Sequence, residues 1–304
     1  MDRQSLPLVS VVMPVHNALP FLSASISSIL SQTLSEFELI VLDDASTDGS
    51  GELLHRWAQN DSRIRYFESE AQLGLSGSSN SVVEKAQAPL VARMDADDIS
   101  HPERLSRQWQ ILNEMPEVVA VGALCDGIDA QGKRIRPRDR WRIVRHSSHP
   151  PFPHGSVMFR RTVFAEVGGY REDAIGSEDQ DLFLRLATRG KVVVLPDLLY
   201  HYRYHLNSAS LVHSAGVVCD DLMARYSRAA MRLWAGHHPV RSSILAGDSF
   251  NWNLRTLAVL AWASWGDFSP VSLRFALRSL IRGRDLLAGL RIKDGRPYEW
   301  RLEQ

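Results

Sequence analysis

The feature that most limits what this chain can fold into is an alternation of short apolar runs and helical patterns over its first hundred residues. Leu8-Val9-Ser10-Val11-Val12-Met13-Pro14-Val15 is a near-continuous run of strand formers, followed by the polar pair His16-Asn17. Such a run suits a strand buried on both faces. From Pro20 the apolar residues Phe21, Leu22, Ile26, Ile29 and Leu30 recur at helical spacing. Phe37 to Leu42 reads as a second strand ending at Asp43-Asp44, and Ser46-Thr47-Asp48-Gly49-Ser50 as a turn and cap before a helix with Leu53, Leu54 and Trp57 on one face. Ile64 to Phe67 is a third strand, Gly74 to Ala88 a glycine-bearing loop feeding a helix, and Pro89 to Met94 a fourth strand. Strand and helix alternating over short links predict right-handed βαβ units and a mostly parallel sheet. Ligands of such sheets bind beyond the carboxyl ends of the strands. Three polar pairs fall there: His16-Asn17, Asp43-Asp44 and Asp95 with Asp97.

Past Asp98 the alternation weakens. Leu105, Trp109 and Leu112 predict a helix, Val118 to Leu124 a strand, and Asp129-Ala130-Gln131-Gly132 a hairpin turn before the basic segment Lys133 to Arg145. A rigid loop at Pro150 to Gly155, a strand at Ser156 to Phe159, a short helix closed by Gly168-Gly169-Tyr170, a helix from Glu178 and a late strand at Lys191 to Leu195 follow. From about Ser214 the pattern is helical. The expected division is an α/β domain over residues 1–210 and an α-helical extension over 211–304.

Composition narrows the function classes. With 44% hydrophobic and 23% charged residues among 304, the chain is globular rather than disordered. Lys+Arg and Asp+Glu both number 35, so no global charge excess points to nucleic acid. Residues 211–304 hold 13 of the basic and 8 of the acidic side chains, which makes the tail net positive and the body net negative. Cys125 and Cys219 fit no metal spacing, which suits a reducing compartment. Met1 to Pro7 has no signal-peptide apolar region, and Leu257 to Trp265 is too short to span a bilayer. The sequence thus predicts a cytoplasmic protein, with peripheral contact on the inner face of the membrane as an option.

Met94-Asp95-Ala96-Asp97-Asp98 is the densest acidic stretch. On extended backbone, Asp95 and Asp97 would point the same way and repel unless a cation lay between them. Oxygen ligands of this kind suit Mg²⁺ or Mn²⁺ with positions left for substrate phosphates. On spacing alone, an acidic turn capping the next helix explains them equally well. Asp43 and Asp44 offer acceptors for a base N–H or a ribose hydroxyl, with helix capping as the alternative. Gly74-Leu75-Ser76-Gly77-Ser78-Ser79-Asn80 has a superficial likeness to a phosphate loop but lacks the Walker lysine and the full dinucleotide spacing. His205 is a candidate third metal ligand, favouring Mn²⁺. Glu178-Asp179, at a helix start, offers a base; the alternative is complementing the helix dipole.

Taken in order, these stretches resemble the family 2 glycosyltransferases. The likeness runs through Pro14 and Asn17, Asp43-Asp44-Ala45-Ser46-Thr47-Asp48-Gly49-Ser50, Gly74 to Asn80 and Asp95-Ala96-Asp97-Asp98. It continues through His154 to Arg161, Val167-Gly168-Gly169-Tyr170, Glu178 to Arg185 and Tyr202-Arg203-Tyr204-His205, covering about residues 8–210. The resemblance implies the GT-A fold, a Rossmann-like sheet flanked by helices. It implies an inverting, hexosyltransferase-type enzyme that takes one sugar from a nucleotide-sugar, UDP-sugars favoured. The acceptor would be a hydroxyl of a glycan or lipid-linked molecule, as in cell-surface polysaccharide assembly. Residue by residue it implies Asp179 as catalytic base, and Asp97 with His205 as ligands of Mn²⁺ or Mg²⁺. Pro14, Val15, Asn17, Asp43, Asp44, Gly74, Asn80, Asp95 and Glu178 are implied to hold the nucleotide-sugar. His16 departs from the family's usual Tyr or smaller residue, and Ser79 from its usual Arg. No Gln-x-x-Arg-Trp sequence of processive synthases is present.

A nucleotidyltransferase, or a non-catalytic nucleotide-sugar-binding protein, are the competing readings. In the tail, Leu273, Leu277, Leu280 and Ile281 with Arg274, Arg278 and Arg282 predict an amphipathic helix with a basic flank. It either packs on the body or meets an anionic membrane surface.

Overall fold

The computed structural model describes residues 6–135, 152–174, 178–205 and 298–300. The strands are β1 (Val9–Val15), β2 (Phe37–Asp43), β3 (Ile64–Glu68), β4 (Leu90–Arg93), β5 (Ile99–Ser100), β6 (Val118–Ile128), β7 (Arg134–Ile135), β8 (Met158–Arg160), β9 (Lys191–Arg203) and β10 (Tyr298–Trp300). The helices are α1 (Leu19–Leu30), α2 (Ser50–Asn60), α3 (Gly74–Glu84), α4 (Arg104–Glu114), α5 (Arg161–Glu166) and α6 (Glu178–Ala187).

One sheet runs β10-β9-β6-β8-β4-β1-β2-β3, with β5 on β9 and β7 on β6. Parallel pairing joins β1 to β2 and β4, β2 to β3, and β6 to β9, while β8 runs antiparallel between β4 and β6. The winding goes from β1 outward to β2 and β3, then returns to the other side of β1 for β4. The crevice between β1 and β4 is therefore the switch point of an α/β sheet.

Two apolar layers cover the sheet. On one side Leu22, Ile26 and Ile29 of α1, Leu54 of α2 and Leu105 and Leu112 of α4 pack on Val11, Leu39 and Ala92. On the other, Val82 and Val83 of α3, Phe164 of α5 and Leu182, Phe183 and Leu186 of α6 pack on Val12, Ile40 and Phe159. The central strands β1, β2 and β4 are buried throughout, which is why their sequences read as near-continuous apolar runs. Glu38 is buried within β2 because its carboxylate accepts bonds from Ser10 Oγ (2.5 Å), Arg65 Nη1 (2.5 Å) and the Gln87 N–H (2.7 Å).

Three local expectations are corrected. Gly74 to Asn80 is not a loop: α3 starts at Gly74 itself. Asp95 to Asp98 do not lie on extended backbone, because β4 ends at Arg93 and the chain turns, with the Asp98 N–H 3.4 Å from the Asp95 carbonyl oxygen. The late strand is also longer than its apolar start suggests, running through Tyr200 to Arg203.

The hairpin turn at Asp129 to Gly132 is present, closed by Asp129 Oδ1 on the N–H groups of Gln131 and Lys133. The amphipathic tail helix and the rest of 206–297 lie outside the described residues, as does most of the basic segment after Lys133. Within the region expected to be helical, Tyr298–Trp300 form a strand antiparallel to Val192–Val194 at the sheet edge. Among the described residues no helix is long and apolar enough to cross a membrane.

Candidate active site

The carboxyl ends of β1 and β2 are stitched into one another. The Asp44 N–H donates to the Val15 carbonyl (2.7 Å), continuing the ladder past Asp43. Asn17 sits at φ 50, a left-handed conformation that asparagine tolerates better than most residues. Its N–H donates to Ser46 Oγ (3.0 Å), its Oδ1 accepts the Thr47 N–H (2.8 Å), and its Nδ2 donates to His16 Nε2 (3.1 Å). His16 Nδ1 in turn meets the Asp44 carbonyl oxygen at 2.8 Å, so the neighbours assign the proton to Nδ1. Asp43 Oδ1 accepts the Ser46 N–H (3.0 Å).

Asp44 accepts the N–H groups of Leu73 (2.6 Å) and Gly74 (3.0 Å), holding the N-terminus of α3 where orphan donors and the helix dipole attract a carboxylate. Gly74 itself is at φ 72. Pro14 and Val15 are buried beneath these groups. Asn80 grips the main chain of Tyr170 from both sides, Oδ1 on its N–H and Nδ2 on its carbonyl oxygen, each 2.8 Å. Ser79 is buried in α3.

The second cluster forms around the turn after β4. Asp97 Oδ2 lies 2.8 Å from His205 Nε2, bringing together residues 108 positions apart. The His205 ring leans on Phe21 at 4.5 Å between centroids. Arg203, also over Phe21, donates from Nε to the Asp97 carbonyl (2.6 Å) and from Nη1 to the carbonyls of Asp129 (3.0 Å) and Ala130 (3.2 Å). Asp98 is 1% exposed and accepts the Arg203 N–H at 2.7 Å. It fastens the acidic turn to the end of β9 and does not cap α4. Burial first, then the charges of Asp97 and Asp95, push its carboxyl well above the usual range. A cavity of about 450 Å³ adjoins this cluster, lined by Phe21, Ile99, Ile128, Arg134 and His201 among others.

Asp95 turns the other way from Asp97, pairing through Oδ1 with Arg93 Nη2 at 3.0 Å. Its N–H donates to the Tyr200 hydroxyl (3.3 Å). The acidic start of α6, with Glu178, Asp179 and Asp181 in its first turn, approaches from the opposite layer. Asp181 pairs with Arg185 (2.5 Å), and Arg185 Nη1 holds the Val167 carbonyl (2.7 Å), so α6 is locked to the end of α5. Tyr170 marks where these parts meet. Burial, and the charges of Asp179, Asp95 and Glu178, raise its hydroxyl above the ordinary value, against the opposing charge of Arg93. Its hydroxyl bonds His154 Nε2 at 2.7 Å. Burial, then Arg93, pushes His154 down to about 3.

The expected site residues therefore gather beyond the carboxyl ends of the central strands in three groups: the β1–β2 end, the Asp97–His205 pair, and Asp95 with Tyr170 and the start of α6. Among the described residues no three His, Cys, Asp or Glu side chains converge as a metal cage. A mixed oxygen–nitrogen pair such as Asp97 and His205 still fits Mn²⁺ or Mg²⁺, which take one or two protein ligands and fill the rest with phosphate and water. Sequence reading missed Arg93, Arg104 and the His154–Tyr170 pair. The signal for Arg93 was present: a charged residue closing a strand that is otherwise apolar and buried.

Comparison with known proteins agrees with this geometry. The sequence model of the family described as Glycosyl transferase family 2 matches residues 10–171. EpsE of Bacillus subtilis (strain 168) is 34% identical over 228 residues, which are 69% of this chain and 82% of that protein. The O-antigen biosynthesis glycosyltransferase WbnJ of Escherichia coli is 30% identical over 241 residues, 74% of this chain and 91% of WbnJ. The solved structure of the mannosyltransferase PcManGT from Pyrobaculum calidifontis, in complex with GDP-Man and Mn²⁺, superposes with a TM-score of 0.60 at 22% identity, covering 94% of this chain and 79% of that one.

Proposed function

The chain belongs to glycosyltransferase family 2 and has the GT-A fold, and on that premise we propose that it moves one sugar from a nucleoside-diphosphate sugar, a UDP-sugar foremost, to a hydroxyl of a glycan or lipid-linked acceptor. The transfer inverts the anomeric carbon and uses Mn²⁺ or Mg²⁺. Polysaccharide assembly is its setting, as the name of WbnJ suggests for that relative.

The observation that carries this reading is the Asp97–His205 contact at the β4 edge of the switch-point crevice. Those two residues would hold the ion, which supplies positive charge against the departing diphosphate. The β1–β2 end, with Val15, Asn17, Asp43, Asp44 and Gly74 around Pro14, takes the nucleoside. Asp95 and Glu178 face the donor between the two ends, and Asn80 serves by holding Tyr170 in place.

Asp179 acts as general base. As the acceptor oxygen bonds to the anomeric carbon, its proton passes to the Asp179 carboxylate. The bond from that carbon to the diphosphate oxygen breaks on the opposite face, and a nucleoside diphosphate leaves. The oxocarbenium-like transition state is of the kind glycosidases also pass through.

The test is a release assay over a panel of nucleotide-sugars with Mn²⁺. A nucleoside diphosphate is the expected product, with activity lost in EDTA and restored by Mn²⁺ or Mg²⁺. Pyrophosphate as product would establish a nucleotidyltransferase instead. Binding without turnover across a broad acceptor panel would leave a binding protein. Full activity in chelator would remove Asp97 and His205 from the metal role.

A further inference from the structure

Asp95 is held in a box that the family motif does not describe. Arg93 is the last residue of β4, 2% exposed, and it faces the layer that carries Tyr170 and α6. Its Nη2 pairs with Asp95 Oδ1 at 3.0 Å and its Nη1 donates to the Met94 carbonyl at 2.8 Å, while Nε has no partner among the described residues. The other carboxylate oxygen is confined by a glycine. A Cβ built on Gly155 would lie 2.5 Å from Asp95 Oδ2 and would overlap the Tyr200 hydroxyl.

From the other layer, Arg104 fixes both walls of this box. Its Nη1 donates to the carbonyls of Arg93 and Gly155, each at 3.0 Å, and it is fully buried. Its remaining bonds go to Ser100 Oγ (2.8 Å) and the Met94 sulfur (3.8 Å), so among the described residues no carboxylate lies within hydrogen-bond reach of it. Two guanidinium groups are thus buried beside one quarter-exposed carboxylate. A buried charge is costly unless it is paired, so the arrangement binds Asp95 tightly in place.

We propose, on the strength of the donor reading above, that Arg93 is a positioning residue: with Gly155 it fixes the Asp95 carboxylate toward the nucleotide-sugar. Asp95 and Asp97 then have separate tasks although they are two residues apart. Asp97 with His205 serves the ion, and Asp95 serves the donor directly. Arg93 acts through Asp95, so its removal loosens donor binding in ground state and transition state alike. That kind of loss appears in KM, with kcat little changed.

The experiment compares Arg93→Met, Arg93→Lys and Gly155→Ala with wild type, using the nucleotide-sugar that the wild type turns over. It measures kcat, KM for the donor and the Mn²⁺ concentration for half activation, with thermal melts alongside. Arg93→Met is expected to raise the donor KM by about 10–100-fold, by analogy with the cost of losing a residue that orients a metal-bound side chain. The Mn²⁺ half-activation point stays where it was. Arg93→Lys recovers part of the loss, because a lysine keeps the charge without the fork. Gly155→Ala keeps every charge and is expected to raise KM similarly.

A folded Arg93→Met protein with wild-type KM overturns the proposal, and so does a shift in Mn²⁺ half activation that accounts for the whole defect. If Arg93→Met does not fold, Arg93→Lys and Gly155→Ala decide: a wild-type KM in whichever of them folds overturns it. Wild-type protein that turns over no nucleotide-sugar overturns the donor reading and this role with it. Wild-type turnover with unchanged variants overturns this role alone.

Discussion

The two ends of the crevice are built on different principles. At the β1–β2 end, the polar side chains meet main-chain groups of neighbouring loops: Asp44 on the N–H groups of Leu73 and Gly74, Asp43 on Ser46, Asn17 on Thr47. At the β4–β9 end, the fastenings involve charged groups, and two of the three join segments about a hundred residues apart. Arg93 pairs with Asp95, Asp98 accepts the Arg203 N–H, and Asp97 contacts His205. The first end is a scaffold in which uncharged main-chain donors satisfy side-chain oxygens, the bonds to the Asp43 and Asp44 carboxylates contributing about 1.5–3 kcal/mol each and those of Asn17 about 0.5–1.5 kcal/mol. The second is a balance of buried charge, in which losing one partner leaves the others uncompensated. A site made this way can hold a nucleoside rigidly at one end and respond to ions at the other.

The largest effect should come from neither end. Asp179→Asn removes the proposed base and is expected to lower transfer by about 10²–10⁴-fold while leaving donor affinity near wild type, as seen by titration calorimetry. Equal loss of binding and turnover would put Asp179 among the donor contacts instead.

The contrast between the ends is tested next by stability. Asp95→Asn weakens the compensation of Arg93 and Arg104, and should cost about 3 kcal/mol in denaturant unfolding, at the low end for a broken buried pair because Asp95 is partly exposed. Ser46→Ala, which removes one hydroxyl acceptor from Asn17, should cost about 1 kcal/mol or less. Similar costs for the two would erase the distinction.

Acid gives a further handle. His154 has an ordinary value of 6.5 and is pushed down to about 3 in the fold by burial and then by Arg93. Between those values the unfolded chain takes up a proton that the folded chain refuses, so stability is full above 6.5 and falls as the pH drops toward 3. His154→Gln should flatten that part of the acid limb. An unchanged acid limb would show that His154 is not held neutral.

Much of this was legible in the sequence, and the parts that were not share a cause. The runs Val9 to Val15 and Phe37 to Leu42 announced buried parallel strands because both of their faces are apolar. The acidic pairs fell at strand ends, as the βαβ pattern required. Asp95 and Asp97 were expected to point the same way, yet the chain turns after Arg93 and they part, one to Arg93 and the other to His205. Period-two reasoning fails as soon as the strand stops, and nothing local marks that stop. Gly74 to Asn80 was read as a loop because of its glycines, but Asp44 caps the segment from outside its own sequence window. Arg104 opens a helix whose apolar face, Leu105, Trp109 and Leu112, does not mark it as buried. Only the packing of β4 against the 154–156 turn reveals that it is buried.

The central claim is that one end of the crevice takes the nucleoside without an ion while the other takes the diphosphate through one. The direct measurement is calorimetric affinity, with and without Mn²⁺, for the nucleoside diphosphate selected by the release assay and for its bare nucleoside. The account predicts that Mn²⁺ tightens the diphosphate by about tenfold or more, equivalent to about 1.4 kcal/mol, and leaves the nucleoside unchanged. Equal gains for both ligands, or none for either, would contradict it.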